Sequence, residues 1–252
     1  MKDIEYILDF TAELGRRMLA CGANLERVND TMTRVCASYG LEDVSIYSLN
    51  SIIQISASTK ESGSAVRQVS VPPAGIHLEK LNRLNKLSRT VCSQKPEPLS
   101  LRPMLIKAEQ VDEYPEWAIL TCRLISMICL AFMFDGTWRD AIASVMIVFV
   151  LYWLIKALQK ANFNAIIVNL VTMFVGSTLA LILCRIDVGQ TYSIIMITCG
   201  MLLIPGISMV NAVRNLLCAN EMNGILELIK ALLETFAIVL GIVASLFLFG
   251  GI

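Results

Sequence analysis

The sequence predicts an α-helical membrane protein in which five transmembrane helices follow a small cytoplasmic α+β domain. Hydrophobic residues make up 56% of the 252 positions and the mean hydropathy is +0.64, both higher than in ordinary soluble domains. Charged residues crowd the first 116 positions, whereas long apolar runs fill the remainder. We therefore expect a cytoplasmic domain at 1–97, a linker or helix at 98–116 and a five-helix transmembrane domain at 117–252.

The first part of the cytoplasmic domain has helical periodicity. Apolar residues at amphipathic spacing over positions 4–19 predict a first helix. Asn24 is a typical N-cap for a second helix, and Gly40 is a typical stop. Two helices therefore open the chain.

The periodicity then changes from helical to alternating. The stretches DVSIYS, SIIQISA and AVRQVSV alternate as short strands do, with turns expected at 49–51 and 60–64. HLEKLNRLNKLSRTVC returns to helical spacing, and we expect Leu78, Leu81, Leu84, Leu87 and Val91 to face the core. This order of elements predicts a three-stranded sheet packed with helices.

Five later segments approach the roughly 20 apolar residues that a helix needs to cross a bilayer. They run from Trp117 to Phe134, Ala141 to Leu158, Ala165 to Cys184, Thr191 to Val210 and Ile225 to Phe249. Their loops differ in charge: Lys156, Lys160, Arg214 and Lys230 fall in or beside the second and fourth loops, and Arg139 and Arg185 in the first and third. The positive-inside rule then predicts a multi-pass inner-membrane protein with a cytoplasmic amino terminus, and the opening MKDIEYILDF does not have the pattern of a cleaved signal peptide.

The predicted fourth span is interrupted in LLIPGISMVNAVRNLL. Pro205 removes a backbone donor and Gly206 loosens the helix, so that carbonyls of the preceding turn lose their partners. Broken helices of this kind bind substrates inside transporters. Asn211 and Arg214 follow on one face and together suit a carboxylate. The alternative is a proline kink near a helix end, with Arg214 reaching towards lipid headgroups.

Two further polar positions lie within predicted spans. Arg123 is about two turns into the first span, where an inward-facing guanidinium would attract an anion. Asn169 shares a face with Thr172 and Gly176 in the third span. The same pattern is typical of interhelical hydrogen bonds and close packing, so both a substrate path and a packing role stay open for Asn169.

Several function classes find no support in the sequence. The charges balance at 21 against 21, which gives no reason to propose a nucleic-acid partner. The eight cysteines lack a C-x-x-C pair, and the single histidine, His77, is accompanied by no nucleophile elbow, phosphate loop or metal-ligand cluster. We therefore predict no enzyme, no catalytic or metal-binding residues and no cofactor.

Three stretches resemble the threonine/serine exporter family: GANLERVNDTMTRVCASYGL, HLEKLNRLNKLSR and LLIPGISMVNAVRNLLCANEMNG. They occur in the family's order, and the resemblance covers essentially the whole chain. It implies a cytoplasmic α+β domain before a membrane bundle, and functional roles for Pro205, Gly206, Asn211, Arg214 and Gly224. The chain departs from the family pattern at Asn215, where members often have aspartate, and at Asp135, where they often have glycine.

The resemblance also implies a partner and a substrate class. A chain with five membrane helices is similar to the first component of a split, two-component exporter, such as the succinate exporter subunits. We expect an inner-membrane subunit that works with a second small membrane component, in a possible higher oligomer, to export threonine, serine or a dicarboxylate by secondary transport. The alternative is a membrane-anchored sensor or assembly module whose cytoplasmic domain binds a ligand.

Overall fold

The structure is a computed structural model that describes residues 2–49, 51–59, 63–72, 75–111, 114–218 and 220–249. The predicted turns include positions 50 and 60–62, which lie outside the described residues. The chain forms two compact units: an amino-terminal unit of Met1–Asp112 with Val213–Ile225, and a membrane unit of Glu113–Ala212 with Leu226–Ile252. The amino-terminal unit thus includes a segment from late in the chain.

Four helices and one sheet form the first part of the amino-terminal unit. The helices are α1 (Lys2–Ala20), α2 (Leu25–Ser38), α3 (Leu78–Gln94) and α4 (Pro98–Glu109). Asn24 caps α2 as predicted, since its side chain accepts a hydrogen bond from the backbone of Glu26 at 3.0 Å. His77 caps α3 in the same manner, with Nδ1 accepting from the Lys80 backbone at 3.3 Å.

The sheet consists of β1 (Glu42–Leu49), β2 (Ile52–Thr59) and β3 (Gly63–Ser70), antiparallel and in sequence order. Ile53 and Ile55 of the central strand are fully buried, as alternation predicts for one face of a sheet. The three predicted strands are therefore confirmed.

The core of this unit joins α1, α2, α3 and α4 to the central strand. The predicted apolar face of α1 is buried throughout, from Ile4 to Leu19. On α3 the prediction fails for Leu78, which is 71% exposed because it is the first residue of the helix and lies before the core begins. Residues 98–109 form a helix with Leu101 and Leu105 in the core.

The membrane unit contains longer, more apolar helices. They are α5 (Glu116–Met133), α6 (Trp138–Lys160), α7 (Ala165–Arg185), α8 (Tyr192–Gly200), α9 (Gly206–Leu217) and α10 (Glu221–Phe249), of which α9 and α10 begin or end in the other unit. Only 11% of the apolar window of α5 and 22% of that of α10 is buried within the chain, against 39% and 44% for α6 and α7. Helices α6 and α7 therefore form the centre of this unit.

By length and composition, four described helices are able to cross a membrane: α5, α6, α7 and α10. The predicted fourth span is divided between α8 and α9, neither of which is long enough by itself. The chain is thus mostly helical, with four candidate spans and a small sheet, and the count of five spans stays a prediction.

Candidate functional site

The break between α8 and α9 lies at the predicted position. Helix α8 ends at Gly200 and α9 begins at Gly206. Pro205 has no N–H to donate, and the Gly206 N–H turns to the carbonyl of Ile204 at 2.8 Å. No backbone N–H of the described residues donates to the carbonyls of Met201, Leu202 or Leu203. The break therefore exposes acceptors that an unbroken helix would satisfy internally.

A groove of about 430 Å³ lies in the membrane unit beside this break. Its lining comes mainly from α5 and includes Arg123 and Ser126, and it is joined by Leu202 of the break. Ala118, Ile119 and Met127 supply apolar walls. The groove therefore has the usual make-up of a small-molecule site, a concave apolar surface with few polar groups.

Among the described residues that line this groove, Arg123 is the one cation, and it is half-buried. Its guanidinium carbon lies 5.4 Å from the ring centroid of the buried Tyr152 on α6, a cation–π contact that orients the side chain. No carboxylate of the described residues pairs with Arg123. Its planar fork of donors therefore stays available to an anion.

Several other charged groups near the ends of these helices have partners. Lys156 contacts Glu116, and Arg139 lies 3.3 Å from Asp187. Arg185 donates to the Phe249 carbonyl at 2.8 Å. Arg123 differs from these cations because it lies about two turns into its span and, among the residues described, forms neither an ion pair nor a hydrogen bond to a carbonyl.

The remaining predicted residues are placed as follows. Pro205 is half-buried and Gly206 is exposed, with open space where a Cβ would lie. Asn211 is half-buried on α9, and Arg214 is exposed in the last turn of that helix. Arg214 belongs to the amino-terminal unit's share of α9, whereas the other three belong to the membrane unit. The joint role of Asn211 and Arg214 stays a prediction.

Asn169 lies in the interior of the membrane unit and does not line the groove. Thr172, one turn along α7, and Thr198 of α8 are fully buried, and their hydroxyls make no hydrogen bond with any residue that the structure describes. A buried hydroxyl without a partner is costly, which points to water or a polar ligand in the working protein. The interior of the unit is thus polar at these positions.

Sequence reasoning missed Asp140, which is fully buried at the start of α6. Its carboxylate accepts hydrogen bonds from the backbone N–H groups of Gln190 and Thr191, each at 2.8 Å, and from Thr137. The T-x-x-D spacing of Thr137 and Asp140 is a capping-box signal that was available in the sequence. Asp140 thus fixes the loop before α8 to the first turn of α6.

Sequence reasoning also missed a polar link within the amino-terminal unit, between the α9–α10 corner and the sheet. The buried Asn223 donates to the carbonyl of Ser48 at 3.1 Å, and the Ser48 hydroxyl bonds Asn29 of α2 at 2.6 Å. The nearby Gly224 is tightly enclosed, since a Cβ there would lie 2.7 Å from Leu216. The corner that follows α9 is therefore held by the folded amino-terminal unit.

The chain is similar over nearly its whole length to a known protein family. A family model described as "Putative threonine/serine exporter" matches residues 9–249, nearly the whole chain. The chain belongs to the threonine/serine exporter family. Together with four apolar helices of spanning length, this membership indicates a multi-pass membrane protein of exporter type and points to a transporter rather than an enzyme.

One relative of this family member is a protein of Klebsiella aerogenes named "Probable succinate transporter subunit YjjP". The two are 22% identical over 237 residues, which cover 92% of this chain and 90% of the relative. The relative's name describes it as a subunit, which implies a partner component for that protein. No solved structure matches this member of the exporter family.

Proposed function

We propose that this member of the threonine/serine exporter family is one subunit of an exporter for small carboxylate-bearing metabolites, with threonine, serine and succinate as the candidate substrates. One observation carries the proposal. Arg123, without a carboxylate partner among the described residues, lines a groove in the membrane unit that also includes a residue of the α8–α9 break. A cation within an apolar span is costly, so its presence there favours a functional role.

Substrate recognition would begin with the charge of the carboxylate. The guanidinium of Arg123 offers parallel N–H donors to both oxygens, and Tyr152 holds it in position. The apolar walls at Ile119 and Met127 lower the local polarity, which strengthens this attraction. The unused carbonyls of Met201 and Leu202 suit an ammonium or hydroxyl group of the same substrate, as in threonine or serine.

Further residues are proposed to extend this path. Pro205 and Gly206 maintain the break, Asn211 and Arg214 on α9 meet the carboxylate at another stage of transport, and Asn169 supplies a polar position inside the bundle. The buried hydroxyls of Thr172 and Thr198, which have no hydrogen-bond partner among the described residues, support the last of these roles. The amino-terminal unit would lie in the cytoplasm, on the inner side of the cell membrane, and transport would be driven by an ion or proton gradient.

The proposal includes a second small membrane component. Much of the surface of α5 and α10 is apolar and uncovered within the chain, including Trp117, Ile125 and Phe236. Lipid covers part of such a surface, and a partner helix bundle would cover the rest and close the transport path. The name of the Klebsiella aerogenes relative, a transporter subunit, supports a two-component assembly.

The test is efflux from cells that lack native carriers for these metabolites. Cells express the chain alone or with a candidate small membrane partner from the same genome, and the medium is assayed for labelled threonine, serine and succinate. We expect export only when both chains are present. If neither state exports any of the three while the chain is folded in the membrane, the proposed function is wrong.

Matched variants connect the flux to the groove. Arg123→Gln removes a charge-assisted pair worth ~1.5–3 kcal/mol, so we expect efflux to fall at least about tenfold. Arg139→Gln is the control, since a surface pair with Asp187 contributes little and efflux should stay within about twofold. Equal efflux from Arg123→Gln and the wild type would show that the groove at Arg123 does not bind the transported substrate.

A further inference from the structure

A second groove lies wholly within the amino-terminal unit. It has a volume of about 410 Å³ and runs between α2 and α3. Arg27, Arg34 and Arg89 line it together with one carboxylate, that of Asp30. Three cations therefore meet one anion in a single concave surface, within the size range of small-molecule sites.

Within the described part of the chain, one of these arginines has a carboxylate partner. Arg34 Nε donates to Asp30 Oδ1 at 2.9 Å along α2. Arg27 and Arg89 form no ion pair with any residue that the structure describes. Because Arg27 and Arg34 are seven positions apart, they lie on the same face of α2, roughly two turns from each other. The groove thus holds an excess of positive charge.

The same unit pairs most of its other arginines, which makes this excess distinctive. Arg16 and Arg17 contact Glu13, Arg67 contacts Asp9, and Arg83 lies 3.0 Å from Glu79. Pairing is therefore the usual solution in this fold. The groove departs from this pattern, since two of its three arginines form no ion pair with any described residue.

The neutral polar groups of the groove do not offset this charge. The hydroxyls of Thr31, Ser88 and Ser93 each donate to a backbone carbonyl of their own helix, at 2.8, 2.8 and 3.0 Å. Their protons are thus occupied, which leaves the side-chain amide of Asn85 and the guanidinium groups as the donors of the lining. Guanidinium donors in a fork match the two oxygens of a carboxylate.

We propose that the α2–α3 groove binds a small organic anion bearing carboxylate groups, held by Arg27 and Arg89 with Arg34 beside them. The groove is a ligand site of the amino-terminal unit, separate from the groove at Arg123. The choice of succinate as the probe rests on the proposed function, whereas the charge and shape of the groove do not depend on it.

Cys92 provides a local readout because its free, half-buried thiol lines the same groove. The full chain is purified in detergent micelles and treated with a maleimide, and modification of each cysteine is followed by peptide mass spectrometry. The exposed Cys218 serves as the internal reference. Succinate should slow modification of Cys92 in a saturable manner and leave that of Cys218 unchanged. Succinamide, which has the same length without charge, should protect neither thiol.

Two variants and a control assign the effect to the arginines. Arg89→Gln and Arg27→Gln each remove a charge-assisted contact, so the succinate concentration for half-protection should rise about tenfold or more. Arg102→Gln removes an exposed arginine on α4 outside the groove, and protection should stay within about twofold of the wild type. All three change surface side chains, so circular dichroism should show an unaltered fold.

Three results would overturn the proposal. They are equal protection in the wild type and both groove variants, equal protection by succinamide and succinate, and protection by inorganic phosphate but not by succinate. The last would assign the groove to phosphate chemistry. This test and the transport test can fail independently. If cells export substrate but succinate does not protect Cys92, the α2–α3 groove is not a succinate site and the proposed transport function is unaffected. If succinate still protects Cys92 in Arg123→Gln, the α2–α3 groove and the groove at Arg123 are separate sites.

Discussion

The contact between α7 and α10 makes a sharp prediction about Gly241. A Cβ at this position would lie 2.5 Å from the carbonyl oxygen of Leu170 and 2.9 Å from the backbone nitrogen of Phe174. The first distance is about 0.9 Å shorter than the 3.4 Å at which ordinary contact begins. Both neighbours are backbone atoms and cannot move aside by a change of rotamer. Gly241→Ala therefore has to push α10 away from α7.

The expected cost follows from this overlap. Overpacking of a close contact lowers the free energy of unfolding by ~1–3 kcal/mol. The higher helix propensity of alanine relative to glycine offsets at most ~1 kcal/mol of this loss. A change of 1 kcal/mol shifts the melting temperature by about 2–4 °C in a chain of this size. Since both close neighbours are backbone atoms, the cost of overpacking should lie at the upper end of its range, which leaves a net loss of ~2 kcal/mol after the gain in helix propensity. We therefore expect Gly241→Ala to lower the melting temperature by about 4–8 °C, measured by thermal unfolding of the purified protein in detergent.

Gly200→Ala is the matched control in the same unit. There the nearest atom to an added Cβ is the flexible end of Met173, at an ordinary 3.8 Å. Its melting temperature should equal or slightly exceed that of the wild type. If Gly241→Ala melts at the wild-type temperature, the close approach of α7 and α10 is wrong.

Three further predictions follow from other contacts. Asp140→Asn should lower the melting temperature by about 5 °C or more, because one of the two acceptor oxygens of the buried carboxylate is replaced by an NH2 group that faces N–H donors and cannot accept their hydrogen bonds. Asn223→Ala should increase hydrogen exchange at the α9–α10 corner, because the bond to the Ser48 carbonyl is lost; unchanged exchange there would contradict the link. Burial raises the pKa of the Cys36 thiol to about 11, so at pH 7.5 maleimide should modify Cys218 and leave Cys36 unmodified, and equal rates would contradict this burial.

Much of the local structure was predictable because it depends on short-range patterns. Apolar spacing located α1, and alternation located the three strands. Pro205 located the break, since a residue without an N–H ends a helix wherever it occurs. Arg123 was identifiable because a charge inside an apolar segment is conspicuous.

The features that the sequence did not reveal depend on contacts between distant residues. The groove between α2 and α3 requires Arg27 and Arg89 to meet across two helices, which spacing along one helix does not show. The grouping of Val213–Ile225 with the amino-terminal unit depends on tertiary contacts such as that of Asn223. The exposure of Leu78 reflects where the core begins, whereas periodicity reports only the face of the helix.

The most direct test of the central claim is succinate, threonine and serine efflux from carrier-deficient cells that express this chain and its partner, with Arg123→Gln compared with Arg139→Gln at equal membrane expression. We expect export of at least one of the three metabolites, a fall of at least about tenfold in that efflux for Arg123→Gln, and efflux within about twofold of the wild type for Arg139→Gln. Wild-type flux from the Arg123 variant would contradict the central claim.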